Sequence, residues 1–188
     1  MKVALIVLAV VTVAALGFGG KFVTVRNDLV TQRESVTAAW SAVDVALQRR
    51  ADLIPNLVQT VKAFATHETE VFKDIADARA ALISGRTPQE KIQANQQLEG
   101  ALSRLLVIAE NYPQLRSNEN FLRLQDELAG TENRIAVERR KYNETLQRYN
   151  TTIELFPNNI VASMSGFARN DAYFKTEAGA QTAPKVTF

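Results

Sequence analysis

The chain has 188 residues, 46% of them hydrophobic, and its 22 basic and 20 acidic side chains leave a net charge of +2. So small a surplus, spread along the chain, excludes a nucleic-acid-binding footprint. The absence of cysteine excludes a disulfide framework, a thiolate metal site and a thiol nucleophile. Glycine and proline are sparse between Phe22 and Phe156, which favours long helices over sheets.

The first element is an apolar run, Val3 to Gly20, flanked by Lys2 and Lys21. Its roughly 18 uncharged residues, at about 1.5 Å each, nearly cross the ~30 Å hydrocarbon layer of a bilayer. Phe22 and Val23 add a turn if the Lys21 ammonium reaches back to the headgroups. Residues 1–25 are therefore expected to form a single uncleaved transmembrane anchor. The competing reading is a signal peptide cut after Ala15-Leu16-Gly17, but the run is longer than the usual ~7–15 residues and Lys2 alone supplies its positive region. Lys21, Arg26 and Arg33 outweigh Lys2, which favours a cytoplasmic C-terminal domain, whereas a signal-anchor faces the other way. The Gly17-Phe18-Gly19-Gly20 cluster follows no strand, so it reads as flexibility at the membrane exit and not as a phosphate loop.

Helical periodicity then takes over. Trp40, Val43, Leu47, Ile54, Leu57, Val61 and Phe64 recur at three- and four-residue steps, the spacing of a coiled-coil seam, with Arg50 on the same stripe. Pro55 is expected to kink this first helix. Val71, Ile75, Ala78 and Leu82 continue the spacing as a second helix, or as the same helix bent near Ala65-Thr66-His67. Gly85 suits a left-handed stop, and Thr87-Pro88-Gln89-Glu90 reads as a capping box that opens a third helix carrying Leu98, Leu102 and Leu105. The third helix ends at Tyr112-Pro113. Ser117 is placed as cap of a long fourth helix, through Phe121, Leu128, Ile135, Tyr142, Leu146 and Tyr149 to Phe156-Pro157. The expected fold is all-α: a single N-terminal transmembrane helix followed by an up-and-down, antiparallel four-helix bundle over residues 26–156 with long first and fourth helices.

That topology sets a register. With Asn27 level with Phe156, positions facing each other on helices one and four sum to about 183. Charges on or beside the apolar stripes are costly unless paired, so ion pairs Arg50–Glu132 and Asp44–Arg139 are expected. The same polar seam (Asp44, Asp52, Asn56, Glu132, Asn133, Arg139, Asn143) reads either as a network that specifies register or as a ligand site. No cofactor, metal or catalytic group is assigned: His67 is the lone histidine and lacks the Glu-x-x-His pattern of carboxylate-bridged metal bundles.

Beyond Pro157, residues 157–176 form an apolar juxtamembrane segment. An antiparallel fourth helix returns it to the bilayer, so Ile160, Val161, Met164, Phe167, Tyr173 and Phe174, with Arg169 and Lys175, read as a membrane-interface surface or as a cap on the bundle base. Residues 177–188 have little core-forming content and are expected to be a mobile tail.

Four stretches carry a family resemblance: AAWSAVDVALQRRADLIPNLVQTV (38–61), AENYPQL (109–115), NENFLRLQDELAGTENRIAVERRKYNETLQRYN (118–150) and IELFPNNIVASMSGF (153–167), with Tyr173-Phe174 following. In collinear order over about residues 26–174 the chain resembles the LemA family of bacterial membrane proteins. It departs at Arg26-Asn27, where Tyr-Asn would precede the first helix, and at Glu138, where a small residue would stand. The resemblance implies one N-terminal transmembrane helix, an all-helical domain and a place in the bacterial cytoplasmic membrane. It implies no settled biochemical activity, and the family includes a magnetosome-associated branch linked to membrane vesicle formation. The resulting expectation is a non-enzymatic membrane-anchored scaffold or adaptor whose partners are the lipid bilayer, an envelope protein or further copies of itself. The alternative is a membrane-tethered enzyme or small-ligand sensor that uses the polar seam.

Overall fold

The computed structural model describes residues 2–175, apart from the side chains of Val7, Ala14 and Ala15; the expected tail at 177–188 lies outside them. Among the described residues the chain is all-helical, with no strand: α1 (Lys2–Lys62), α2 (Thr69–Ser84), α3 (Pro88–Glu110), α4 (Pro113–Arg116), α5 (Glu119–Glu154) and α6 (Asn158–Met164).

The apolar run and the first amphipathic helix form one unbroken element. Gly17, Gly19 and Gly20 are helical, in open surroundings, so the flexible exit expected there is not a break in the helix. Helical hydrogen bonds are made within the segment itself, so the extra freedom of each glycine weakens the helix by about 1 kcal/mol without breaking it. The helix also continues through Pro55, and a neighbour makes this tolerable. Proline has no N–H to give the carbonyl four residues before it, which is that of Ala51. Arg79 Nε on α2 donates to that carbonyl at 2.8 Å. α1 then stops at Lys62, where Phe64 and Ala65 both donate to the Val61 carbonyl (3.0 and 2.9 Å), and residues 63–68 separate it from α2.

α2 and α3 pack against each other, joined by a short connection and tied on their exposed sides by Arg104 NH2 to Asp74 Oδ2 at 2.7 Å. Gly85 leaves α2 extended (φ −58°, ψ 128°), not left-handed. Its role is close approach: a Cβ there would sit 2.9 Å from Lys91 Cγ. The Thr87 capping box is fully formed, with Glu90 N donating to Thr87 Oγ1 at 3.2 Å and Thr87 N to Glu90 Oε2 at 3.2 Å. The backbone N–H groups of Arg86 and Thr87 hold the Glu90 carboxyl below its ordinary pKa. The cap of α5 is Asn118, whose Oδ1 accepts from Phe121 N at 3.1 Å. Ser117 is not the cap, because its hydroxyl turns back to the Gln114 carbonyl at 3.1 Å to close the single turn of α4.

The described residues fall into two compact units, residues 2–39 with 144–171 and residues 40–143 with 172–175. In the first, Val25, Leu29, Val36, Leu146, Tyr149, Ile153, Val161 and Ala162 are buried. The core of the second runs from Val43, Leu47, Ile54 and Leu57 through Phe72 and Ile75 of α2 and Leu98 and Leu105 of α3 to Ile135 and Tyr142 of α5. Both follow the three- and four-residue periodicity of their helices, so side-chain spacing alone chose the inward face.

Candidate functional site

A charged cluster sits inside the second unit. Arg50 lies on the apolar stripe of α1, one position before fully buried Ala51, and is only 7% exposed. Its NH1 donates to Asn95 Oδ1 and Glu99 Oε1, each at 3.3 Å, and its NH2 lies 2.7 Å from Glu132 Oε2. The last contact is an ion pair that meets no hydrogen-bond geometry, and among the described residues neither Glu132 Oε2 nor Arg50 Nε has a hydrogen-bond partner. Glu99 Oε1 also accepts from Asn95 Nδ2 at 2.7 Å and from Arg139 NH1 at 3.2 Å. Two guanidinium groups therefore meet two carboxylates and one fully buried amide. A buried charge is tolerable only on such terms.

The structure thus brings Arg50 and Glu132 together, as the antiparallel register reads. It does not bring Asp44 to Arg139. Asp44 pairs with Lys91 and Arg139 with Glu99, because α3 supplies a nearer partner to each. Of the other seam residues, Asp52, Asn56 and Asn133 are exposed. The register argument weighed helices one and four alone and so missed Lys91, Asn95 and Glu99. The available signal was Asn95 and Glu99, four residues apart beside Leu98 and Leu102 on the apolar face of the third helix. Glu138, the departure from the family pattern, is buried too and is held by Arg134 Nε at 3.2 Å and Lys141 Nζ at 3.4 Å on its own helix.

Next to this cluster lies an aromatic lock. Trp40, Tyr142 and Phe174 surround one another with ring centroids 5.3 to 6.1 Å apart, and the Arg139 guanidinium stacks on Phe174 at 4.7 Å. Asn143 grips the Phe174 backbone with both ends of its amide: Nδ2 donates to the carbonyl (2.9 Å) and Oδ1 accepts from the N–H (3.1 Å). Phe174 is therefore a core residue, not the membrane-interface residue expected, since an amide clamp and two rings remove it from solvent. Burial, with Tyr173 as a lesser cause, pushes the Tyr142 hydroxyl up to about 12, and among the described residues that oxygen has no hydrogen-bond partner.

The first unit repeats the clamp by itself. Asn150 Nδ2 donates to the Asn170 carbonyl at 2.6 Å, Asn170 N donates to Asn150 Oδ1 at 3.0 Å, and Tyr149 Oη donates to the Ala168 carbonyl at 3.1 Å. Tyr-Asn thus occurs twice on α5 seven residues apart, and each asparagine reads the backbone of the segment that follows α6. Of the remaining residues expected at the membrane interface, Val161 is buried against this unit and Phe167 lies under the Arg33 guanidinium at 5.3 Å. Tyr173 is half-buried, whereas Ile160 and Met164 are 40% and 68% exposed.

An open groove of about 370 Å³ runs beside the charged cluster, walled by Arg50, Glu99 and Glu132 and by Leu57, Leu102 and Leu128. Among the described residues no group of histidine, aspartate and glutamate side chains is placed to hold a metal ion.

Comparison with known proteins identifies relatives of the chain. Magnetosome proteins MamQ 1 and MamQ 2 of Paramagnetospirillum magneticum are each 28% identical to the chain over 202 aligned positions, covering 94% of it and 74% of their own length. Protein LemA of Metamycoplasma hominis is 24% identical over 141, covering 73% of the chain and 63% of its own length. The profile of the LemA family matches residues 39–188, which takes in α2 to α6, the charged cluster and both amide clamps, and the chain belongs to the LemA family.

Proposed function

We propose that this chain is a non-enzymatic, single-pass scaffold or adaptor of the bacterial cytoplasmic membrane, with its helical domain built as an up-and-down bundle on the cytoplasmic side. The observation that carries the reading is the charged cluster: Arg50, Arg139, Glu99 and Glu132 compensate one another, as a register-setting network does. The apolar first third of α1 supports the anchor, being long enough to cross a bilayer and unburied where described. The magnetosome relatives support a membrane setting, and Val45, Leu106 and Val107 offer exposed apolar side chains to an envelope protein or another copy. The groove beside Glu132, whose side chain is 42% exposed, favours a second reading, a tethered enzyme or small-ligand sensor.

Cross-linking in intact membranes, followed by mass determination of the full-length protein and its adducts, separates these. An intact N-terminus with one foreign adduct identifies an adaptor and its partner, and a ladder of the protein itself identifies a self-assembling scaffold. A mass beginning at Phe18 would defeat the anchor. Adducts with small molecules alone, lost in Glu132→Gln, would transfer the assignment to the sensor.

A further inference from the structure

The α5–α6 corner presents an apolar surface that the buried core does not use. Leu155, Phe156, Ile160 and Met164 are 56%, 79%, 40% and 68% exposed, while Val161 and Ala162 on the other side of α6 are buried. From Leu155 to Ala168 there is no charged side chain, the longest such run outside Val3–Gly20. A partner of complementary charge has nothing to recognise there.

The corner also lies within about a headgroup layer of the end of the apolar helix. On α1 the described side chains from Lys2 to Lys21 are exposed; Phe22 is half-buried, and Val25 and Leu29 are buried. Cover by the first unit thus begins within one turn of the apolar run. The direction of that cover is fixed farther along, where Arg33, Val36 and Thr37 share a groove with Tyr149, Phe167 and Asn170. With Tyr149 level with residues 33–37, antiparallel travel brings Phe156 level with about residue 28, roughly 8 Å beyond Val23, where a span of full hydrocarbon thickness ends, at ~1.5 Å per residue. α6 follows Phe156, and its buried face belongs to the unit that covers Phe22 and Val25. Headgroups and their interface occupy roughly 5–8 Å on each side of the hydrocarbon.

We propose that Leu155, Phe156, Ile160 and Met164 form a lipid-binding foot that lies in the headgroup–acyl boundary beside the span, giving the chain a second, peripheral attachment to the same bilayer. The foot rests on the anchored reading above. Arg169 borders it and is already held by Glu154 and Asp171, so neutral lipid suffices and anionic headgroups are not required. The residues differ from those the sequence picked out: Val161, Phe167, Tyr173 and Phe174 drop out, and Leu155 and Phe156 enter.

The natural absence of cysteine makes the test direct. Full-length Phe156→Cys, Met164→Cys, Val23→Cys and Val137→Cys, each carrying one environment-sensitive fluorophore, are reconstituted in phosphatidylcholine vesicles with a fraction of lipid bearing a nitroxide near the glycerol. Quenching at 156 and 164 is expected to reach at least about half that at position 23 and to exceed that at position 137 several-fold. Quenching at 23 with both foot positions as wet as 137 would overturn the foot and leave the anchor standing. An apolar signal at 156 that lipid does not quench, and that vanishes at low protein-to-lipid ratio, would assign the face to a second copy and equally overturn it. No quenching at 23 would sink both readings.

Discussion

Arg50 is the residue on which the interior of the second unit turns. Its guanidinium is nearly out of water and faces Glu99 and Glu132 together. Arg50→Met leaves Glu132 without its cation and Glu99 with Arg139 alone, and breaking a buried pair from one side costs about 3–5 kcal/mol. Glu132→Gln should cost clearly less, since Glu132 is partly solvated and Arg50 keeps Glu99; denaturant titration of the two variants shows the asymmetry. Tyr142 poses the opposite case, a buried hydroxyl with no hydrogen-bond partner among the described residues. Its pKa in the folded chain, about 12, lies above the ordinary 10.0. Between those values the folded state keeps a proton that the unfolded state has lost, so stability falls as pH rises through the window. Tyr142→Phe should leave stability at neutral pH unchanged or slightly raised and remove that part of the alkaline fall, as melting curves across the window would show.

For the elements, the sequence was most explicit where the signal is local. The capping box at Thr87 needs residues three apart on one chain, and it stands as read. The α5 start was misassigned by one residue because Ser117 and Asn118 both suit a cap, and only the turn of α4 shows which oxygen is free. Asn118→Ala should therefore cost about 1 kcal/mol and Ser117→Ala less than about 0.5, read by urea midpoint. Pro55 was legible as a helix disturbance, but its remedy was not, since Arg79 stands 28 residues from the carbonyl it serves. Arg79→Met should cost about 1–3 kcal/mol, the expense of a stranded buried carbonyl. In a Pro55→Ala background the restored N–H serves that carbonyl, so the same change should cost measurably less. A double-mutant cycle reads the coupling directly.

At the scale of the whole molecule, the decisive physical fact is one helix that is apolar and bare at its start and amphipathic beyond. If the anchored reading holds, the full-length chain stays with the membrane pellet through alkaline carbonate, which strips peripheral proteins, and its mass retains the N-terminus. Release of a shortened chain would count against both the anchor and the foot.

By itself the sequence determined the helical class, the apolar helix and the inward faces, because each depends on neighbours within a turn or two. The Arg50–Glu132 pair was also legible, since antiparallel register converts chain position into height along the helices. Lateral packing decided the rest. Lys91 took Asp44 and Glu99 took Arg139 because a third helix stood closer to each than the expected partner did. Phe174 went inside because Asn143 satisfies its backbone there, and Phe156 stayed outside although it is just as apolar. Register gives the height of a charge or ring along a helix, but its neighbour around the circumference is settled only when the helices pack.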